Sequence, residues 1–540
     1  MTYNAGTATD YIDLLDQLIE VVTGRHMATV AVNAGGTLHA VGDIIDITAT
    51  GSTSTEVAKI EVVTLSGSAI ATARIYRGGV YTVDPTTIVG NAQSATTGVG
   101  TGATFDITFA ATGWTLNTRR SEAVVAAATV AAGGTGYAVS DVLTLIGGVL
   151  SKGGAAATYT VATLSGSAVA TVTQTTQGDY EVVPANAVLT SVAPSGGTGC
   201  TLTVAWQDLA GDTRVVLTGD AGAAIDPVVG IVTYSNETDE TSINTVYNWA
   251  LFGMTSWSSA LALHQQPNIS DGFDITVPDG DLTGSTSGDG AFVPLKPSDA
   301  FSIDWWIRAN GRNVTMVARI EAAATNYYAF ASFGLLNQFG ITTEFPYPAF
   351  IAGTSDRKRV WYRDTGSIFG GPTEVIRRNN GPQFVWAPEG TWHESKNASI
   401  SSNTSTTPGY STENTTPRVN TWPLGPSNTH DTADDQTWAI AGSLGFDNDD
   451  FTLGVNPIAI YRTPDTGGDL FPLFPNTILQ ADSASDFFRT FGEMDGVWWF
   501  HIADATITSE DRITQGGAAY TIFQNGTRIQ DWSYFALRED

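Results

Sequence analysis

The first 206 residues of this chain contain one module written twice, and no other feature restricts its fold as strongly. Gly35-Gly36-Thr37 recurs as Gly133-Gly134-Thr135, Val41-Gly42-Asp43 as Val139-Ser140-Asp141, and Thr64–Ala69 as Thr163–Ala168. Tyr81 and Pro85 map to Tyr180 and Pro184, and Gly100-Thr101-Gly102 maps to Gly197-Thr198-Gly199. The two copies lie about 98 residues apart throughout, so only small loop insertions separate them. A period of this length marks a duplicated small domain rather than a solenoid unit. Tandem domains extend a protein or repeat its contacts, which points toward a structural or adhesive role.

Within each copy the apolar residues alternate or form short runs between Gly/Thr/Ser turns. Val30 and Val32, Ile44 and Ile47, Ile60 and Val62, then Phe105, Ile107 and Phe109 are answered by Leu143 and Leu145, Tyr159 and Val161, then Leu202, Val204 and Trp206. Period two predicts strands. The expected fold class is therefore mainly β, with two tandem small antiparallel β-sandwich-like repeats over 28–112 and 113–206. Residues 1–27 form an N-terminal helix or docking segment. Its helix runs over 9–24, capped by Thr9 or Asp10, striped by Ile12, Leu15, Leu18, Ile19 and Val22, and stopped at Gly24. Two readings of that stripe stay open: packing on its own chain, or docking and oligomerisation.

Residues 207–245 read as a connector with further strands at Val215–Leu217 and Ile231–Val232. The composition then changes, since twelve of the 14 tryptophans follow residue 240. Residues 246–540 are expected to form a larger, loop-rich, mainly antiparallel β domain. Its predicted strands are Ser302–Arg308, Val314–Ile320, Ala518–Phe523 and Trp532–Leu537, with a short helix at Thr245–Phe252. The low-complexity stretch Ser395–Thr416 reads as a surface loop.

Charge and cysteine narrow the function. With 25 basic against 54 acidic residues the formal net charge is −29, which repels phosphate backbones and anionic membranes. No nucleic acid and no membrane insertion are expected. Met1–Asp10 lacks a leader-peptide pattern, so synthesis in a cytoplasm without export is expected. Cys200 is the only cysteine and replaces Ala103 of the first copy, which makes it a buried small residue and excludes disulfides within the chain.

Carboxylates in Gly/Ser-rich stretches suit calcium, which takes six to eight oxygens in flexible geometry. Asp279 and Asp281 in one stretch, and Asp447, Asp449 and Asp450 in another, are the candidate structural Ca²⁺ ligands. Solvated turn aspartates are the simpler reading of both stretches, and neither has EF-hand spacing. No other cofactor is expected. Arg357, Lys358 and Arg359, near Trp361 and Tyr362, form a basic cluster suited to an acidic partner surface or an anionic glycan, or to neutralising the chain's own carboxylates. The six histidines are scattered, with no HExxH pairing, and no G-x-S-x-G elbow occurs. His430 beside Asp431 is the nearest approach to an acid/base pair. The glycine pairs lack the Lys-Ser/Thr and the following helix of a phosphate loop.

The repeated Gly-Gly-Thr, Asp-turn, Tyr…Pro and Gly-Thr-Gly elements resemble β modules of tailed-bacteriophage virion proteins. The second half resembles a C-terminal domain of such proteins. That likeness runs through Gln266-Pro267-Asn268-Ile269, Phe292-Val293-Pro294-Leu295, Asn310-Gly311-Arg312, Pro346-Tyr347-Pro348 and the endings Tyr520–Asn525 and Tyr534–Asp540. A Ser/Thr/Asn-rich insertion near 395–430 departs from the pattern. The resemblance implies a non-enzymatic virion component, assembled in the host cytoplasm, with other virion proteins as partners. A tail position (baseplate, tip or fibre-like) is expected, with homo-oligomerisation and contact with a host surface glycan or receptor. A head or collar decoration protein is the alternative. A glycan-degrading tailspike is the third reading, and it requires a regular short-period β-helix that residues 246–540 do not display.

Overall fold

The structure is a computed structural model that describes residues 1–49, 51–81, 87–150, 155–222, 226–238, 245–270, 291–295, 302–319, 328–338, 347–353, 383–386, 392–394, 451–455, 474–482, 487–501, 508–515, 517–524 and 533–539. It is mainly β. One α-helix, Tyr11–Thr23, accompanies a set of sheets whose ladders among the described residues are all antiparallel.

The helix Tyr11–Thr23 begins at a side-chain cap. The Asp10 side chain accepts hydrogen bonds from the Ile12 and Asp13 amides, which satisfies two of the donors a helix start leaves open. Leu14, Leu15, Leu18 and Val22 are fully buried, Ile19 nearly so, and Ile12 packs at the margin of the same cluster. The stripe is therefore spent inside the chain's own core. The docking reading of Ile12, Leu15, Leu18, Ile19 and Val22 is not carried further, because no face of the stripe is left for a partner.

Residues 25–111 form two facing sheets. Arg25–Thr37 pairs with Thr101–Ala111, and Ala58–Ser66 pairs with Ala69–Arg77 and with Ile44–Ile47. Ile45, Ile60, Val62, Phe105 and Ile107 fill the space between them. Residues 114–206 repeat this arrangement. Trp114–Thr135 pairs with Thr198–Gly219, Thr158–Ser165 pairs with Ala168–Thr176 and Val142–Thr144, and Leu143, Tyr159, Val161, Leu202 and Val204 form the core. Cys200 is 1% exposed and its counterpart Ala103 is fully buried. The turn glycines recur in the left-handed region, with φ +62° at Gly36 against +61° at Gly134, and +69° at both Gly67 and Gly166. Only a residue without Cβ adopts that conformation without strain.

The two 22-residue strands Trp114–Thr135 and Thr198–Gly219 do not stop at the edge of this unit. They run on into one sheet with Val228–Thr238, Thr245–Met254 and Ala291–Pro294. The helix expected at Thr245–Phe252 is thus a strand. Its short apolar run fits either element by pattern, and pairing with Val228–Thr238 decides the outcome.

A seven-stranded sheet forms the centre of the C-terminal part. It contains Ile303–Ala309, Asn313–Arg319, Tyr328–Leu335 and Ala349–Gly353. Its edge is the N-terminal strand Thr2–Ala8, paired residue for residue with Ile303–Ala309. One face of this sheet (Ile307, Met316, Phe333, Ile351) packs under the helix and the long-strand sheet. The other (Val317, Phe330, Phe350) packs on Met494, Val497, Phe523 and Leu537 of a further sheet. Burial on both faces explains why Tyr328–Leu335 reads as a largely apolar run, interrupted by Ser332, instead of alternating.

Because Leu18 is fully enclosed, Leu18→Ala is expected to destabilise the chain by about 2–5 kcal/mol. Asp10→Ala removes a cap worth about 1 kcal/mol. Urea unfolding followed by circular dichroism measures both.

Candidate functional site

Several of the buried polar residues gather where parts of the chain meet. The largest group lies between residues 25–111 and the C-terminal sheet. Glu61 and Arg74 face each other across a ladder, with Arg74 Nε 2.9 Å from Glu61 Oε2. Arg512 reaches the same Glu61 oxygen with one guanidinium nitrogen at 2.6 Å. Its Nε donates to Glu539 at 2.6 Å, and its plane lies 4.7 Å from the centre of the Tyr76 ring. Glu539 also accepts from Thr521 Oγ1, which is 2.6 Å from the Tyr3 hydroxyl of the N-terminal strand. Burial would raise the Glu61 carboxyl, but the guanidinium groups of Arg74 and Arg512 outweigh it and hold the group below its ordinary range. Glu539 is enclosed more fully, and burial pushes its carboxyl up despite Arg512. One arginine thus ties the first β unit, the N-terminal strand and the chain's last strand together. Paired, hydrogen-bonded charges are the form in which such groups are tolerated inside a protein.

A second junction holds the other β unit. Glu181, 4% exposed, accepts the Leu263 amide with both carboxylate oxygens at 3.1 and 3.0 Å. Arg120 and Arg214 approach the same carboxylate at 3.6 and 3.9 Å, and Arg120 also lies over the Trp257 ring. A third lies under the helix. His26, 2% exposed, places Nε2 2.6 Å from the Val21 carbonyl, while Nδ1 lies against the Gly79 carbonyl and 3.3 Å from the Asn4 amide nitrogen. Burial lowers its pKa to about 4.

Each charged side chain of these groups is engaged by neighbours that hold strands together. Among the described residues no group of three or more His, Cys, Asp or Glu side chains is placed to hold a metal ion. No helix among them is long and apolar enough to cross a membrane.

The candidate calcium ligands Asp279, Asp281, Asp447, Asp449 and Asp450 lie outside the described residues, as do the basic cluster Arg357, Lys358 and Arg359 and the pair His430 and Asp431. The junction residues Glu61, Arg512, Glu539 and Glu181 were not singled out by the sequence. Their partners are scattered along the chain, and no local pattern marks them. The sequence signal available in retrospect is that Glu61 and Arg74 interrupt otherwise apolar or Thr-rich strands.

No protein-family model matches this chain, and no curated protein matches it either.

Two measurements test the junctions. Arg512→Ala leaves the enclosed Glu539 without its cation and is expected to cost about 3–5 kcal/mol in urea unfolding. Adding Glu539→Gln to that variant is expected to recover part of the loss. For His26 the folded-state pKa is depressed, so the unfolded chain takes up the proton first. Its contribution to stability is full above pH 6.5 and lost as pH falls toward about 4. His26→Gln is expected to flatten the pH dependence of the thermal midpoint over that interval.

Proposed function

We propose that this chain is a non-enzymatic structural component of a tailed-phage virion, built to hold two copies of one β module on a composite C-terminal body. The duplication carries the structural half of this reading. Both modules use the same pairing register, with Asp46 opposite Lys59 and Glu61 opposite Arg74 answered by Thr144 opposite Thr158 and Thr160 opposite Thr173. Conserved register with changed side chains is what a repeated spacer or contact unit requires. The virion half is carried by the sequence motifs that resemble phage β modules.

The preferred place is the tail, as a baseplate, tip or fibre-like protein that contacts other virion proteins and a host glycan or receptor. The antiparallel ladders favour this over the tailspike reading, since a β-helix is built from parallel strands. The polar junctions are consistent with a role in holding parts together, because each links residues distant in the chain: Glu61 with Arg512, Glu181 with Leu263, and His26 with Gly79.

The test is immunogold labelling of intact particles with antibody to residues 246–540. Label at the tail tip is the expected result. Label over the head or neck overturns the tail assignment and leaves a decoration protein. Absence of the chain from purified particles by mass spectrometry overturns the virion reading altogether.

A further inference from the structure

One guanidinium serves two carboxylates where the first module meets the C-terminal sheet, and the two carboxylates are unequal. Glu61 lies in the module strand Ala58–Ser66 with its side chain 13% exposed, and it takes two arginines. Arg74 Nε stands 2.9 Å from it and one terminal nitrogen of Arg512 2.6 Å. Glu539 follows the last strand, Ser533–Arg538, with its side chain 2% exposed, and it takes one arginine, Arg512 Nε at 2.6 Å. Its other oxygen accepts from Thr521 Oγ1 at 2.8 Å. The second terminal nitrogen of Arg512 is buried with no hydrogen-bond partner among the described residues, so the guanidinium still holds a donor to place.

The other ionisable groups around this pair are Tyr3 on the N-terminal strand and Tyr76 and Arg77 on Ala69–Arg77. Phenols and guanidinium groups keep their charge state between neutral and mildly acid pH, so within this group only the two glutamates change theirs. Geometry orders them. An enclosed carboxylate with one cation takes a proton before a more open one with two. Burial pushes the Glu539 carboxyl up despite Arg512. Burial acts on Glu61 as well, but Arg74 and Arg512 outweigh it and hold that carboxyl below its ordinary range.

We propose that this junction is a proton-operated switch, in which protonation of Glu539 hands Arg512 over to Glu61 and tightens the first module onto the C-terminal sheet. The proton comes from solvent and settles on the Glu539 carboxylate, which becomes a neutral acid. Thr521 Oγ1 now donates to that group and accepts from the acid form instead, since a hydroxyl does both. Arg512 then has one anion in place of two, and its charge falls on Glu61 alone. Charge-assisted bonds are about twice as strong as neutral ones, so the undivided pair is the firmer link between module and sheet. The sign follows from the two directions. A carboxyl raised in the folded chain adds stability as pH falls through its folded value, and a depressed one loses its contribution only at lower pH. Mild acid therefore docks the first module more firmly than neutral pH does.

Amide hydrogen exchange of the full chain, read by mass spectrometry over Ala58–Ser66 and Ala69–Arg77, tests it between about pH 8 and about pH 5. Glu539→Gln imitates the neutral acid at every pH. It is expected to exchange about fivefold more slowly than wild type near the alkaline end and at the same rate near the acid end. His26 titrates in both chains and cancels from that ratio. The second-module strand Thr158–Ser165 is the internal reference, with a ratio of one throughout. In a Glu61→Gln background the same substitution is expected to speed exchange instead, because Arg512 then has no anion left. A ratio between Glu539→Gln and wild type that does not change with pH overturns the proposal, as does faster exchange in Glu539→Gln at the alkaline end. Slower exchange on adding Glu539→Gln to Glu61→Gln overturns it too. If the doubly substituted chain does not fold, the comparison of Glu539→Gln with wild type decides alone.

Discussion

The pairing of Thr2–Ala8 with Ile303–Ala309 is the contact on which the rest of the arrangement depends. It joins positions about 300 residues apart and makes everything between them, including both β modules, an excursion from one sheet. Loop closure of this span is cheap in free energy, since each doubling of length adds only about 0.6 kcal/mol. It is slow in time, because a non-local ladder forms only after its loop has closed. The pairing also covers the edge of Ile303–Ala309, which would otherwise be open to a foreign strand. Only Thr9 and Asp10 separate the strand from the helix, so the same ladder sets the helix over the core formed by Ile307, Met316 and Phe333.

Once the N-terminal strand is in place, the first module follows it. Arg77 donates to the Ala5 carbonyl at 2.9 Å, and Arg512 then closes Glu61, Tyr76 and Glu539 into one network. The second module is anchored differently. Among the described residues no arginine ion pair reaches its outer face, and it is joined to the next sheet by two strands that leave it and continue there. The duplication thus produces two units with one interior and two modes of attachment. One is docked by charge and the other is continuous through its backbone.

How much of this was legible in the sequence depends on the distance over which each interaction acts. The helix was readable because Asp10, the stripe from Ile12 to Val22 and Gly24 all lie within 15 residues. The mainly β class was readable from the period-two pattern, and the strand positions at Ser302–Arg308, Val314–Ile320, Ala518–Phe523 and Trp532–Leu537 fell within one or two residues of those observed. The strand Thr2–Ala8 was not readable. Its run Thr-Tyr-Asn-Ala-Gly-Thr-Ala has no apolar alternation, and it is buried mainly because its neighbours cover it. Thr245–Met254 was misread as helical because a short apolar segment carries no decisive period until its partner strand is known. The polar junctions stayed hidden for a related reason. Glu61 and Arg512 are separated by some 450 residues, and only the fold brings their charges within 2.6 Å.

The divergence of the two modules follows from what packing permits. Interior positions exchange one apolar side chain for another of workable shape, as Ile45 for Leu143, Ile60 for Tyr159, Phe105 for Leu202 and Ala103 for Cys200. Such changes are tolerated when volume and pattern are kept. Outward positions are free of that constraint, and there the copies have lost all likeness in charge. Asp46, Lys59, Glu61 and Arg74 stand against four threonines in the same register. Asp46 and Lys59 form a half-buried pair of the kind that contributes little to stability, while Glu61 and Arg74 are enclosed where Arg512 docks. A difference confined to the outer faces is a difference in what those faces meet. One meets the chain's own C-terminal sheet through a guanidinium, and the other carries threonines at the corresponding register positions.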